Sequence, residues 1–143
     1  MDPKRLIAGI VGGLAGGVLF GAMMQMMGMI EMIGGLVGQE TAAVGWAVHL
    51  GISALFGLVY AVTFGVLSSS WGRAVGFGAV YGVIWWVLGA LLIMPAWMGM
   101  PVLQVGAMQI QSLIGHLVFG VALGVVFQAL AQTVSTRSEP SRA

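Results

Sequence analysis

The chain has 143 residues, of which 59% are hydrophobic and 6% are charged, and its formal net charge is +1. Soluble domains carry about 25% charged residues, so this composition excludes a water-soluble domain and predicts a single domain embedded in a lipid bilayer. The chain contains no cysteine, which excludes disulfides, thiolate metal sites and iron–sulfur clusters. It has no long basic run, which argues against a nucleic acid partner.

Four segments are apolar and long enough to cross a bilayer, which takes about 20 helical residues. We therefore predict an all-α integral membrane protein with one transmembrane domain over residues 1–132 and a polar cytoplasmic tail over 133–143. The first segment follows two basic residues, but its apolar run is too long for a signal peptide, so we expect a retained helix. The predicted spans are 6–30, 43–67, 74–94 and 108–131.

The first helix carries a glycine at every fourth position, which places these glycines on one helix face. Small-residue faces allow membrane helices to approach closely, so we predict a helix-packing seam, a glycine zipper, on this face. Gln25 is the one strongly polar residue deep in the helix, and we expect it to form an interhelical hydrogen bond. The glycines are Gly9, Gly13, Gly17 and Gly21.

Capping and proline residues predict the bounds of the next two helices. Thr41 is placed to cap the second helix, and the third helix is expected to end at Pro95. Pro95 and Pro101 argue against a continuous helix over 95–106, and this segment is too short to span. We expect it to lie along the outer surface, with Trp97 at the level of the lipid headgroups.

The second and fourth helices share a pattern. Residues 49–60 and 116–127 both read H-L-x6-G-[LV]-V-[YF], and they contain the two histidines of the chain, His49 and His116. A repeat unit then consists of one of these helices and the helix before it, which together form a hairpin. An even number of spans per unit keeps both copies in the same orientation, which predicts parallel repeats related by a pseudo-two-fold axis along the membrane normal. The predicted repeats are 5–68 and 73–132.

The basic residues predict the orientation. With four spans, all of them fall on one side, whereas the loops on the other side carry only Glu31 and Glu40 as charges. Positively charged residues stay in the cytoplasm, so we expect a multi-pass plasma membrane protein with both termini inside. The basic residues are Lys4, Arg5, Arg73, Arg137 and Arg142.

His49 and His116 are the candidate site. Ionisable residues in membranes usually face the bundle interior, and small residues, which mark packed faces, follow each histidine at positions +4 and +8. We therefore expect both imidazoles to point inward at equal depth. These small residues, which extend the packing seams, are Ser53, Gly57, Gly120 and Gly124.

Three roles suit these histidines. They can hydrogen-bond to neighbouring helices and stiffen the bundle, or serve as the axial ligands of a b-type haem. With methionines spaced four residues apart, they can also form a soft site for Cu(I), and this spacing resembles the MxxxM element of copper permeases, although methionine also fills apolar gaps. The methionines of the copper alternative are Met23, Met27, Met94 and Met98.

The sequence contains no recognisable catalytic set. We expect a non-catalytic structural or accessory subunit of a homo-oligomer or larger membrane complex. The alternatives are a haem electron-transfer protein, and a protein that binds or transports copper or a small solute.

The chain contains the segments MMGMIEMIGGLVGQETAAVGWAVHLGISALFG, YGVIWWVLGALLIMP and GHLVFGVALGVVF. These segments resemble a family of small prokaryotic four-helix membrane proteins that carries only a domain-of-unknown-function label. The resemblance implies a compact four-helix bundle and no assigned activity.

Overall fold

Helices make up all the regular secondary structure in residues 2–136, which the computed structural model describes, with side chains through residue 132. Six α-helices and one π-helical segment follow one another in this part of the chain. They are α1 (Pro3–Met26), α2 (Ile30–Gly35), α3 (Ala42–Thr63), α4 (Trp71–Trp85), the π-helical segment Trp86–Ile93, α5 (Met94–Trp97) and α6 (Ala107–Thr136).

The four predicted spans are confirmed as four helical stretches that are long and apolar enough to cross a membrane. The protein is thus an all-helical, multi-pass membrane protein by the length and composition of these helices. Helix α6 continues to Thr136 and includes the first residues of the predicted tail, whereas residues 137–143 of that tail lie outside the described residues. The spans are Pro3–Met26, Ala42–Thr63, Trp71–Trp97 and Ala107–Gln132.

Side-chain caps define where three of these helices begin. Asp2, Thr41 and Ser70 cap α1, α3 and α4 respectively, and each side-chain oxygen accepts a backbone N–H two or three residues later, at 3.0, 3.4 and 3.4 Å. Such caps satisfy N–H groups that have no partner within the helix. The predicted cap at Thr41 is therefore confirmed.

The predicted first span extends too far, because the chain turns after Met26. Gly28 adopts φ +67° and Gly38 adopts φ +76°, a left-handed conformation that glycine reaches without a Cβ penalty. Between them, α2 folds back onto the start of α3, where Ile30 is completely buried and its carbonyl lies against Gly45. This hairpin covers the end of the bundle that lies far from the N-terminus.

The predicted end of the third helix at Pro95 is wrong, because the helix continues to Trp97. Proline disrupts an α-helix because it lacks an N–H and its ring crowds the carbonyl four residues back. Here the preceding turns are the π-helical segment, whose i→i+5 spacing is wider and gives the ring room. The Leu91 carbonyl accepts instead from the N–H of Leu103, at 2.7 Å. Residues 98–106 then form an irregular, mostly exposed connection.

Glycine backbones form the contact between α1 and α3. A Cβ on Gly9 would meet the Gly57 carbonyl, and a Cβ on Gly13 would meet the Ser53 carbonyl and the Gly57 backbone. A Cβ on Gly17 would meet the side chain of Ser53. The structure therefore places the predicted small-residue face of α1 directly against α3.

The end of α1 and the start of α3, which lie far from the N-terminus, meet through a tryptophan. A Cβ on Gly21 would meet the ring of Trp46, and the Trp46 indole Nε1–H donates to Oε1 of Gln25 at 3.1 Å. The predicted interhelical hydrogen bond of Gln25 is thus confirmed.

Helices α4 and α6 pack in a similar way. A Cβ on Gly78 would meet the Gly120 carbonyl, and a Cβ on Gly82 would meet the His116 carbonyl. Gly124 of α6 lies against the α4 backbone one turn nearer to the start of α4. Both helix pairs therefore approach to backbone contact, which is the favourable geometry for small residues in a membrane.

The two contacts between these helix pairs differ. Helix α1 lies close to α6, because Gly12 and Gly16 face α6 backbone carbonyls. Helices α3 and α4 are instead held apart by aromatic rings, and the rings of Phe56 and Trp85 stack with their centroids 3.6 Å apart. The bundle is therefore tight on one side and wide on the other. The other rings between α3 and α4 pair Tyr60 with Tyr81 and Phe64 with Phe77.

Candidate functional site

A cavity of about 410 Å³ lies where the four spans diverge, at the end of the bundle far from the N-terminus. Its walls come from the last turns of α1, the hairpin around α2, the first half of α3, the π-helical segment with α5, and the first half of α6. The stacked rings of Phe56 and Trp85 both line it. We call this space the methionine-lined cavity because seven methionines line it: Met24, Met29, Met32, Met94, Met98, Met100 and Met108.

His49 lines this cavity from α3. Its side chain is buried, and its Nε2 lies 2.9 Å from the carbonyl oxygen of Gly17. A carbonyl can only accept, so Nε2 carries the proton and donates across the α1–α3 seam. In a neutral imidazole the other nitrogen is then an acceptor, and this nitrogen is Nδ1.

His116 lines the same cavity from α6. Its Nδ1 lies 2.8 Å from the carbonyl oxygen of Ser112 and 3.3 Å from the hydroxyl of the same serine. By the same argument Nδ1 donates to the carbonyl, and Nε2 is the acceptor. The two histidines therefore use opposite nitrogens for their bonds to the protein. Each has one lone pair that is not used in such a bond.

Phe20 packs against both histidines. Its ring centroid lies 5.5 Å from that of His49 and 4.7 Å from that of His116, both with edge-on geometry. The ring itself packs against Gly115, where a Cβ would collide with it. The structure thus brings the two predicted site residues to one cavity, where both contact the same aromatic ring.

This arrangement does not fit a b-type haem held by His49 and His116. Bis-histidine ligation needs a ring nitrogen of each imidazole on opposite faces of the porphyrin, whereas here both imidazoles pack against the same Phe20 ring. In addition, Nε2 of His49 is engaged by the Gly17 carbonyl. We derive no haem chemistry from this site.

Only two of the four methionines predicted for the copper alternative lie at the cavity. Met94 and Met98 line the cavity, whereas Met23 and Met27 are absent from its wall. The cavity methionine of α1 is Met24, which lies on the face of α1 that packs inward. No group of three or more His, Asp or Glu side chains is placed to bind a metal ion among the described residues.

Two tryptophans of the cavity wall differ in their hydrogen bonding. The Trp97 indole Nε1–H donates to the Leu36 carbonyl at 3.2 Å and connects α5 to the residue that follows α2. The indole Nε1–H of Trp85 is buried with no acceptor in hydrogen-bonding geometry. Its polar neighbour, the Tyr81 hydroxyl, donates its own proton to the Phe56 carbonyl at 2.6 Å.

Gly89 provides part of the open volume. It lies on the cavity wall in the π-helical segment, and a Cβ built on it would meet no atom within 4 Å. Most other glycines of the bundle contact backbone on a neighbouring helix. Gly89 instead leaves open volume at the cavity wall.

Several of the residues that form the cavity carry no specific signal in the sequence. Phe20, Phe56 and Gly89 each stand within long apolar runs where every side chain is a candidate for either lipid or core. The wide spacing of α3 and α4 that makes them cavity residues is a property of the whole bundle. Comparison of the chain with protein-family models, with curated proteins and with solved structures gave no match.

Proposed function

We propose that this protein is a non-catalytic integral membrane protein that binds a small apolar molecule in the methionine-lined cavity. The observation that carries this proposal is the cavity itself, whose volume of about 410 Å³ falls in the range of small-molecule sites. Its walls are apolar and aromatic with a few polar groups, which is the usual composition of such sites. Flexible methionines adapt to irregular ligands.

We also propose an internal repeat, which would account for how the cavity arose. Gly13 and Gly78 each face the residue four positions after a histidine, and Gly57 and Gly124, eight positions after it, each face the first helix of their hairpin. The register of the two seams is therefore the same. We propose that the hairpins 5–68 and 73–132 are tandem parallel repeats related by a pseudo-two-fold axis.

The repeats differ where the bundle is wide. With Gly13 aligned to Gly78, Gly12 and Gly16 of α1 correspond to Phe77 and Tyr81 of α4. Two glycines let α1 approach α6, and two aromatic rings keep α4 away from α3. We infer that this replacement of glycine by aromatic residues opened the cavity on one side only.

The proposed orientation places the cavity in the outer half of the bilayer. Lys4, Arg5 and Arg73 lie at the starts of α1 and α4, at the end of the bundle opposite the cavity. Since positive residues are retained in the cytoplasm, we propose a plasma membrane location with both termini inside.

The binding proposal is tested by filling the cavity from Gly89. We expect Gly89→Leu to abolish binding of 1-methoxynaphthalene, measured by equilibrium dialysis against nanodiscs that contain the protein, with empty nanodiscs as the blank. Gly51→Leu is the matched control, because Gly51 also has no atom near a built Cβ but lies on the exposed face of α3. Equal binding by the wild-type protein and Gly89→Leu would overturn the proposal.

A second candidate function, an accessory subunit that packs against a second copy of the chain, is favoured by Gly72 and Gly76. Both are exposed on α4, four residues apart, with no atom within 4 Å of a built Cβ. This spacing is typical of close helix–helix contacts in membranes. We expect Gly76→Leu to reduce cross-linked dimers in native membranes and Gly51→Leu to leave them unchanged. A wild-type protein that forms no cross-linked dimer rules this candidate out.

A further inference from the structure

The polar groups of the methionine-lined cavity indicate the chemistry of its occupant. The backbone carbonyls of Gly17 and Ser112 fix the proton positions on the two histidines. The nitrogens left over are Nδ1 of His49 and Nε2 of His116. Each is an acceptor in a neutral imidazole.

Neither of these two nitrogens has a hydrogen-bond partner in the part of the chain that the structure describes. Both histidines line the cavity, and neither nitrogen is among the fully buried side-chain atoms without a partner in that part, whose one member is Nε1 of Trp85. The nearby Ser53 hydroxyl does not supply the missing donor, since it donates to the His49 carbonyl at 2.7 Å. Two acceptors on residues of the cavity wall are therefore left without a donor among the described residues.

The remainder of the wall selects for a flat, apolar molecule. Phe20, Phe56 and Trp85 present aromatic rings to the cavity, and thioethers surround them. Aromatic ligands gain from edge-on or offset contacts with such rings and from sulfur–aromatic contacts. No lining residue is Asp, Glu, Lys or Arg, so the wall offers nothing to a charged ligand.

We propose that the occupant is a lipophilic aromatic alcohol, a phenol or hydroquinone, whose hydroxyl donates to Nδ1 of His49 or Nε2 of His116. This inference rests on the proposed binding function and specifies its ligand. A quinone with the same ring system has only acceptor oxygens, which would face the imidazole lone pairs without a proton between them. At these two nitrogens, the reduced form of such a ring therefore supplies the proton that the oxidised form lacks.

A matched pair of ligands tests the need for a donor. We expect 1-naphthol to bind the protein in nanodiscs about tenfold more tightly than 1-methoxynaphthalene, after correction for partition into empty nanodiscs, because the ether leaves a buried acceptor unpaired. Equal affinity of the two ligands would overturn the donor inference and leave the binding proposal standing. If neither ligand binds, both proposals fail.

Two substitutions test the histidine nitrogens separately. His116→Asn keeps an N–H near the position of Nδ1 for the Ser112 carbonyl and removes the acceptor at Nε2. His49→Gln keeps an N–H near Nε2 for the Gly17 carbonyl and removes the acceptor at Nδ1. We expect at least one of them to abolish the preference for naphthol, whereas Gly51→Leu, which lies outside the cavity on the exposed face of α3, retains it. A preference that survives both substitutions would overturn the proposal.

Identification of the molecule that the protein binds in its own membrane distinguishes a hydroquinone from a monophenol as the source of the hydroxyl. Protein purified anaerobically from its own membrane is extracted with organic solvent, and the extract is analysed by mass spectrometry beside that of Gly89→Leu. Enrichment of a hydroquinone or of a monophenol in the wild-type extract supports the proposal and identifies the source. Enrichment of an acyl lipid without an aromatic hydroxyl would overturn it.

Discussion

The α1 glycines show how little space separates the backbones in this bundle. Gly13 is the clearest case, since the position of its missing Cβ is taken by the Ser53 carbonyl and the Gly57 backbone. Backbone atoms cannot rotate away as a side chain can, so a larger residue must push the helices apart. The seam also holds the His49 bond to Gly17, so its spacing affects the cavity as well.

We expect Gly13→Val to destabilise the protein by more than about 2 kcal/mol, as overpacking of a tight core does. Gly51→Val is the matched control, because it adds the same β-branched side chain to an exposed helix position. The measurement is unfolding in mixed detergent micelles followed by circular dichroism. Equal losses for the two variants would mean that helix propensity, and not the seam, sets the cost.

At the scale of secondary structure, Pro95 and Leu103 act together. Pro95 cannot supply the N–H that a regular α-helix would direct to the Leu91 carbonyl, and the N–H of Leu103 bonds to that carbonyl instead. Leu103 adopts φ 56°, a conformation that costs a residue other than glycine about 1–2 kcal/mol. The connection over 98–106 is thus tied to the helix by a bond that the proline makes available.

Restoring the N–H should release this connection. In Pro95→Ala we expect the new amide to bond within the helix, so that the Leu103 amide loses its acceptor and exchanges its hydrogen faster. Pro101→Ala is the control, since Pro101 lies outside the helices. Hydrogen–deuterium exchange of the protein in detergent measures the difference. Unchanged protection of Leu103 in Pro95→Ala would contradict this account.

The membrane-spanning helices could be predicted from the sequence more fully than the residues of the cavity. Apolar length was sufficient for four spans, and Thr41 was recognisable as a cap from its side-chain chemistry alone. The π-helical turn was not predictable, because an apolar run does not record which carbonyl each N–H will choose. The role of Phe20 was missed for a related reason. Its contact with two histidines depends on how closely three separate helices approach, and no local pattern specifies that distance.

The whole molecule presents an experimental advantage, because the chain has no cysteine. Single cysteines can therefore report the orientation. Val37 is exposed beside α2 and Ser69 is exposed before α4, at opposite ends of the bundle. We expect Val37→Cys in intact cells to react with a membrane-impermeant maleimide, and Ser69→Cys to react only after permeabilisation. The reverse pattern would place the termini outside and the cavity in the inner half of the bilayer.

The absence of ionic side chains from the cavity wall has an electrical consequence. A charge that moves through the field of an energised membrane exchanges about 2.3 kcal/mol with it per 100 mV. A neutral ligand that enters a site built from neutral imidazoles and thioethers does no such work. Occupancy of this site would therefore follow the concentration of the ligand in the bilayer alone, at any transmembrane voltage, whereas loading with a monovalent copper ion would vary with that voltage.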